Sequence, residues 1–316
     1  MQMASFWNGM GFSLNIVLPI LAIIVLGRWL SARGVMTRAF VDGANHLLYY
    51  YAIPCLIFFG VVRSTVSIGS SWRLILAGYL AVSVLFILSS WLARRRLPDV
   101  ADRGVFVQGV FRGNLAIVGV VLVHEAYGAP GLSEGAMFAG TVALLMNVLA
   151  VIAFSADGQT AWTQVLGKIT RNPLFMAIVA AIAVKGLEVP MPEMVLNFGE
   201  HFVGMTLPLA LLCTGATLNL RDIFGAGQVA IWASIGRLLV SPLLFVLFGL
   251  LCGVQGRGMG ILFLMGATPA ASAGFVMARA MGGNAVAAAN IIAITTAFSL
   301  FVIAPGIAML HVFDWL

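Results

Sequence analysis

Ten times along its length this chain runs apolar for long enough to cross a bilayer. The runs lie at about residues 12–31, 39–62, 72–93, 104–123, 135–156, 172–188, 194–219, 227–251, 258–281 and 286–311. About 20 residues rising ~1.5 Å each cross a hydrocarbon layer of ~30 Å. Backbone groups in that layer must pair within their own segment, so runs of this length are read as helices. The expected fold class is an all-α membrane protein with ten transmembrane helices. Only 9% of the 316 residues are charged, against about 25% in a soluble domain, which excludes a soluble enzyme. The net charge of +6 is scattered over short loops, so no nucleic-acid partner is expected. The opening MQMASFWNGMGF carries no basic n-region, and no removable signal peptide is expected. Cys55, Cys213 and Cys252 fall inside apolar runs and form no disulfide framework.

One run is interrupted where interruption is costly. Residues 103–128 read RGVFVQGVFRGNLAIVGVVLVHEAYG, with Arg112, Gly113 and Asn114 near mid-depth. An unpaired charge there costs ~2.5–3.5 kcal/mol on insertion scales, glycine loosens a helix, and freed backbone is tolerated only inside protein or beside water. A broken helix lining a polar site is the expectation. Residues 257–282, RGMGILFLMGATPAASAGFVMARAMG, lie on the first stretch at an offset of 154, with Arg103 on Arg257 and Gly128 on Gly282. The same offset lays Pro19 on Pro173 and Pro54 on Pro208. A duplicated unit follows: residues 1–156 and 172–316, joined by a cytoplasmic connector at 157–171.

Basic residues orient the chain, because cytoplasmic loops are enriched in them. With the N-terminus outside, the outer loops hold only Arg63, Arg73, Lys185 and Arg257, while eleven basic residues, among them Arg94, Arg95 and Arg96, lie inside. Both termini are therefore expected on the non-cytoplasmic side of the inner membrane. Five spans per unit is odd, so the second unit enters from the opposite face. Inverted repeats with broken helices in corresponding places mark secondary transporters.

Both interrupted stretches resemble those of the auxin efflux carrier family, which includes the plant PIN carriers and bacterial carriers of malonate and other organic acids. In the first half Asn114, Gly119 and Leu122 fit the family's pattern, although Val121 stands where a proline is usual. In the second, Pro269, Ala278-Arg279, Gly282-Gly283 and a small-residue helix with Thr295 and Thr296 match it. The resemblance implies two inverted five-helix repeats of the bile-acid-symporter and NhaA type, with helices 4 and 9 broken and crossing. It also implies an organic anion as substrate and a scaffold suited to a homodimer, with membrane lipids as its surroundings.

The candidate substrate site follows from these residues. Asn114 offers two donors and an acceptor, enough to grip a carboxylate where few charges are affordable. Gly113 and Gly119 supply the bend and bare N–H groups, or close helix packing. Thr268 and Pro269 fall opposite Asn114 and Leu115 in the repeat, and proline breaks a helix. The half-helix beginning near Ala270, Ala271 and Ser272 turns its positive end toward the crossing, as an anion site requires. Arg112, beside Asn114, is read as a substrate contact; Arg237 is read as a structural clamp or a second contact. His46, Glu200 and His201 precede Pro54 and Pro208 and are candidates for proton coupling. No cofactor or metal is expected, and no catalytic residue: the chain has no GxSxG elbow, HExxH pair or clustered aspartates. The rival readings are a sodium-coupled organic-anion symporter of the bile-acid type and an anion channel.

Overall fold

The computed structural model describes residues 18–19, 21–63, 72–154, 173–217, 227–271 and 273–312. Among them there is no strand; the one β-feature is an isolated antiparallel bridge between Gly113 and Ala270. The helices are α1 (Leu21–Ala32), α2 (Arg38–Leu47), α3 (Ile53–Arg63), α4 (Trp72–Arg96), α5 (Val100–Phe111), α6 (Val120–Phe154) and α7 (Pro173–Gly186). They continue as α8 (Glu193–Gly204), α9 (Thr206–Thr217), α10 (Gln228–Ile235), α11 (Ser241–Leu251), α12 (Arg257–Gly266), α13 (Ala273–Ala280) and α14 (Ala285–Val312). Among the described residues, five helical stretches are long and apolar enough to cross a membrane: Trp72–Arg96, Leu115–Phe154, Glu193–Thr217, Gln228–Leu251 and Ala285–Leu310.

Prolines shape several of these helices. Wide π-turns at Leu48–Ala52 and Gly236–Val240 join α2 to α3 and α10 to α11, each two residues before a proline, Pro54 or Pro242. Proline has no N–H to close the i to i−4 ladder, and the turn before it widens. Gly128 breaks α6 with φ 64° and ψ −151°, a left-handed backbone that glycine adopts without strain. Pro130 then lies where a second helix starts, its missing N–H costing nothing there. The expected start of that span near residue 135 is therefore too late.

Small residues set the packing. α4 packs on α5, α6 and α11, while α10 and α13 pack on both α5 and α14. α1 and α9 approach so closely that a Cβ at Gly27 or Gly215 would land on the backbone of Leu212 or Ile24. Large apolar side chains, by contrast, face outward: Leu88 and Trp91 on α4, Leu243 and Leu247 on α11, Phe298 and Phe301 on α14. A surface this apolar needs a partner as apolar as lipid, and the interior holds the polar Gln108, Ser241, Thr268 and Thr295 instead. The molecule is a multi-pass, all-α membrane protein.

Candidate functional site

Two helices stop at one place. α5 ends at Phe111, and Arg112 leaves it in extended conformation with φ −91° and ψ 91°. α12 ends at Gly266, and residues 267–271 are not helical. The two freed segments pair as a minimal antiparallel ribbon around Gly113 and Ala270. The Asn114 N–H donates to Pro269 O at 2.8 Å and the Ala271 N–H to Arg112 O at 3.0 Å. From the side, Thr295 Oγ1 on α14 accepts the Ala270 N–H at 3.0 Å. Gly113 must lack a side chain, since a Cβ would sit 2.5 Å from Thr268 Oγ1 and 2.6 Å from Arg237 Nη2.

Both half-helices point their carbonyl ends into this ribbon, where the partial negative charge of two helix termini accumulates. Arg237, carried in by the π-turn Gly236–Val240, answers it and is 0% exposed. Its Nε donates to Thr268 O at 2.8 Å. Nη1 donates to Phe111 O at 3.1 Å and Val110 O at 3.4 Å. Nη2 donates to Gly266 O at 2.7 Å, Met265 O at 3.4 Å and Thr268 Oγ1 at 3.3 Å. One planar fork of five N–H groups thus caps two helices at once. Arg237 is the clamp of the two readings considered for it.

The opposite, N-terminal ends begin on the other side of the crossing. Asn114 opens the π-turn Leu115–Gly119, whose bond from the Gly119 N–H to Asn114 O measures 3.0 Å. Asn114 is 9% exposed, and its side chain makes no capping bond to this turn. Beside the crossing, a small cleft is bounded by Gln108 and Gly109 of α5, Ala270, Ala271 and Gly274, and Ile291 of α14. Gln108 is 3% exposed, and its Oε1 has no hydrogen-bond partner. Its Nε2 approaches Met277 Sδ at 3.7 Å. Met277 also accepts from Arg112 Nη1 at 2.8 Å, while Arg112 Nη2 donates to Asn147 Oδ1 at 2.6 Å.

Of the residues singled out in the sequence, Arg112, Gly113, Asn114, Thr268, Pro269 and Ala270 come together at the crossing. Gly119 stands one turn along, against the Met265 side chain. The Thr268 hydroxyl is engaged by Met265 O at 2.8 Å and by Arg237. Ser272 lies outside the described residues. His46, Glu200 and His201 lie elsewhere, on α2 and α8, and are exposed. His46 packs against Tyr50 at a tilt of 34° with ring centroids 4.4 Å apart, and His201 Nδ1 is 2.8 Å from Asn197 O. Among the described residues, no three His, Cys, Asp or Glu side chains gather as a metal site would require. Gln108 and Asn147 were missed in the sequence. An amide four residues before Arg112, one helical turn away, was the available signal for the first.

A family model described as membrane transport protein matches residues 12–156 and 160–305. An uncharacterized transporter of Methanothermobacter thermautotrophicus is 24% identical over 272 residues, 84% of this chain and 88% of the relative. Uncharacterized transporter MJ1031 of Methanocaldococcus jannaschii is 24% identical over 303 residues, 92% of this chain and 96% of the relative. Uncharacterized transporter YfdV of Escherichia coli K12 is 21% identical over 279 residues, 84% and 88%.

Proposed function

We propose, from the premise that the chain belongs to the membrane transport protein family of auxin efflux carriers, that it is a secondary carrier of a small organic anion. A dicarboxylate such as malonate is one substrate of the right class. In this reading ten helices form two inverted five-helix repeats, 1–156 and 172–316, around the connector 157–171. The broken fourth and ninth helices cross at mid-bilayer in the inner membrane, with both termini on the non-cytoplasmic side. The anion binds beside the crossing, held by Asn114, the opening turns after Asn114 and Ala271, and Arg112. One unit then rocks against the other to alternate access, and two copies pair through the scaffold.

The antiparallel ribbon at Gly113 and Ala270 carries this reading. It relates two helix breaks by a local twofold, the geometry that an inverted repeat requires, and it leaves two helix N-termini near one polar cluster. The local twofold sets Gly113 against Ala270, three residues past the Ala267 that the offset of 154 gives. The second break is longer by about that much.

Thermal-shift titration of purified protein with mono- and dicarboxylates, with and without sodium and across pH, tests the proposal. Stabilisation by a carboxylate, lost in Asn114→Ala at unchanged yield of folded protein, is the expected result. Undiminished binding in Asn114→Ala removes the site. Saturable uptake into liposomes, with turnover no faster than a carrier cycle, separates carrier from channel.

A further inference from the structure

We propose that Gln108 selects the transported anion, by accepting a hydrogen bond from an O–H group that the ligand carries beside its carboxylate. This rests on the carrier reading above and adds the chemical class of the substrate. A thioether accepts hydrogen bonds but does not donate them. The Nε2 end of Gln108 therefore belongs on Met277 Sδ, and Oε1 is the end left without a partner. A buried acceptor in that condition is costly, and it belongs to a side chain that lines the cleft beside the crossing.

The local twofold sharpens the point. Gln108 stands five residues before Gly113, and Met265 stands five before Ala270. Met265 is fully buried and fills its side, with Sδ where a Cβ of Gly119 would meet it at 2.5 Å and Cε 3.3 Å from a Cβ of Gly135. One half of the crossing is thus plugged by an apolar side chain. The related position in the other half bears an amide and lines the small cleft.

The lining of that space offers a polar ligand one amide and one helix end. Gly274, in the opening turn of α13, lies against the amide, a Cβ there falling 3.5 Å from Gln108 Nε2. The positive end of α13 takes a carboxylate, and Val105, Ile291 and Ile292 make the rest apolar. A single carboxylate with one neutral donor suits this lining better than two charges do. Two ligand types share that chemistry: a hydroxy acid, and a dicarboxylate with one acid protonated.

Matched pairs in binding assays on the full-length protein distinguish them. L-Lactate against propionate and malate against succinate read the hydroxyl. Malonate titrated toward lower pH reads the acid proton. Wild type is expected to favour the O–H-bearing species by about tenfold. In Gln108→Met, which places the twofold-related side chain at this position, the ratio falls to near one. Gln108→Leu is a second variant with the same expected result. A hydroxyl preference independent of pH identifies a hydroxy acid; affinity for malonate rising with acidity identifies the half-protonated diacid. A wild type without either preference, or ratios unchanged in both variants, overturns the assignment. If Asn114→Ala still abolishes binding in that case, the carrier reading survives and only the role of Gln108 falls. If no carboxylate binds wild type, both fall together.

Discussion

Removing Arg237 is the most direct way to test what holds the crossing together. In Arg237→Met five backbone carbonyls lose a donor: Val110, Phe111, Met265, Gly266 and Thr268. Two keep another partner, since Ser241 Oγ donates to Gly266 O at 2.9 Å and Thr268 Oγ1 to Met265 O at 2.8 Å. Val110 O, Phe111 O and Thr268 O lose the donor with no such replacement, at ~1–3 kcal/mol for each group left unsatisfied. Relief from burying a guanidinium offsets part of this ~3–9 kcal/mol total, and the net loss is about 3–5 kcal/mol. At roughly 2–4 °C per kcal/mol the melting temperature drops on the order of 10 °C. Arg237→Lys keeps the charge but not the planar fork that reaches both helix ends, so it melts between the two. Melting is followed by intrinsic fluorescence in detergent, with the yield of monodisperse protein as a control. An Arg237→Met protein melting within about 1 °C of wild type refutes the reasoning, because a clamp on two helix ends cannot be removed so cheaply.

Four further outcomes follow from the same geometry. Gly113→Ala drives a Cβ into Thr268 Oγ1 and Arg237 Nη2 and costs ~1–3 kcal/mol; combined with Arg237→Met its cost shrinks, because both changes act on one contact. Gly215→Ala sets a methyl on Ile24 O and lowers the melting temperature, while carboxylate affinity per folded molecule stays unchanged. Asn284→Ala loses the cap to the Ala287 N–H at 3.0 Å and the bond to Asp102 Oδ1 at 2.8 Å, and denaturation shows a loss of ~1 kcal/mol. Glu134→Gln weakens its pair with Arg257, 2.6 Å long with the arginine side chain 40% exposed; the effect stays under ~1 kcal/mol and shrinks further in high salt.

What the sequence disclosed, and what it hid, has a physical pattern. Arg112, Gly113, Asn114 and Pro269 are costly in a membrane helix wherever the chain goes, so the breaks are legible without coordinates. The membrane class is legible for the same reason, since apolar side chains such as Leu243 and Phe301 need an apolar solvent. The partners of Arg237 are not legible, because its acceptors are backbone carbonyls of residues 110–111, 265–266 and 268, and every residue type has a carbonyl. Gln108 reads as an ordinary amide until its missing partner and the neighbouring cleft are seen together. Boundaries fail where a single residue turns the chain: Gly128 separates two helices with almost no polar loop, so hydropathy places the next span several residues late.

A guanidinium built into the chain changes what a transport cycle has to fetch from solution. The two helix ends at the crossing are neutralised by a group that never dissociates, so no dissolved cation is needed to close that spot, and none gains by entering it. On the carrier reading proposed above, a coupling ion is bound at some other place in the molecule.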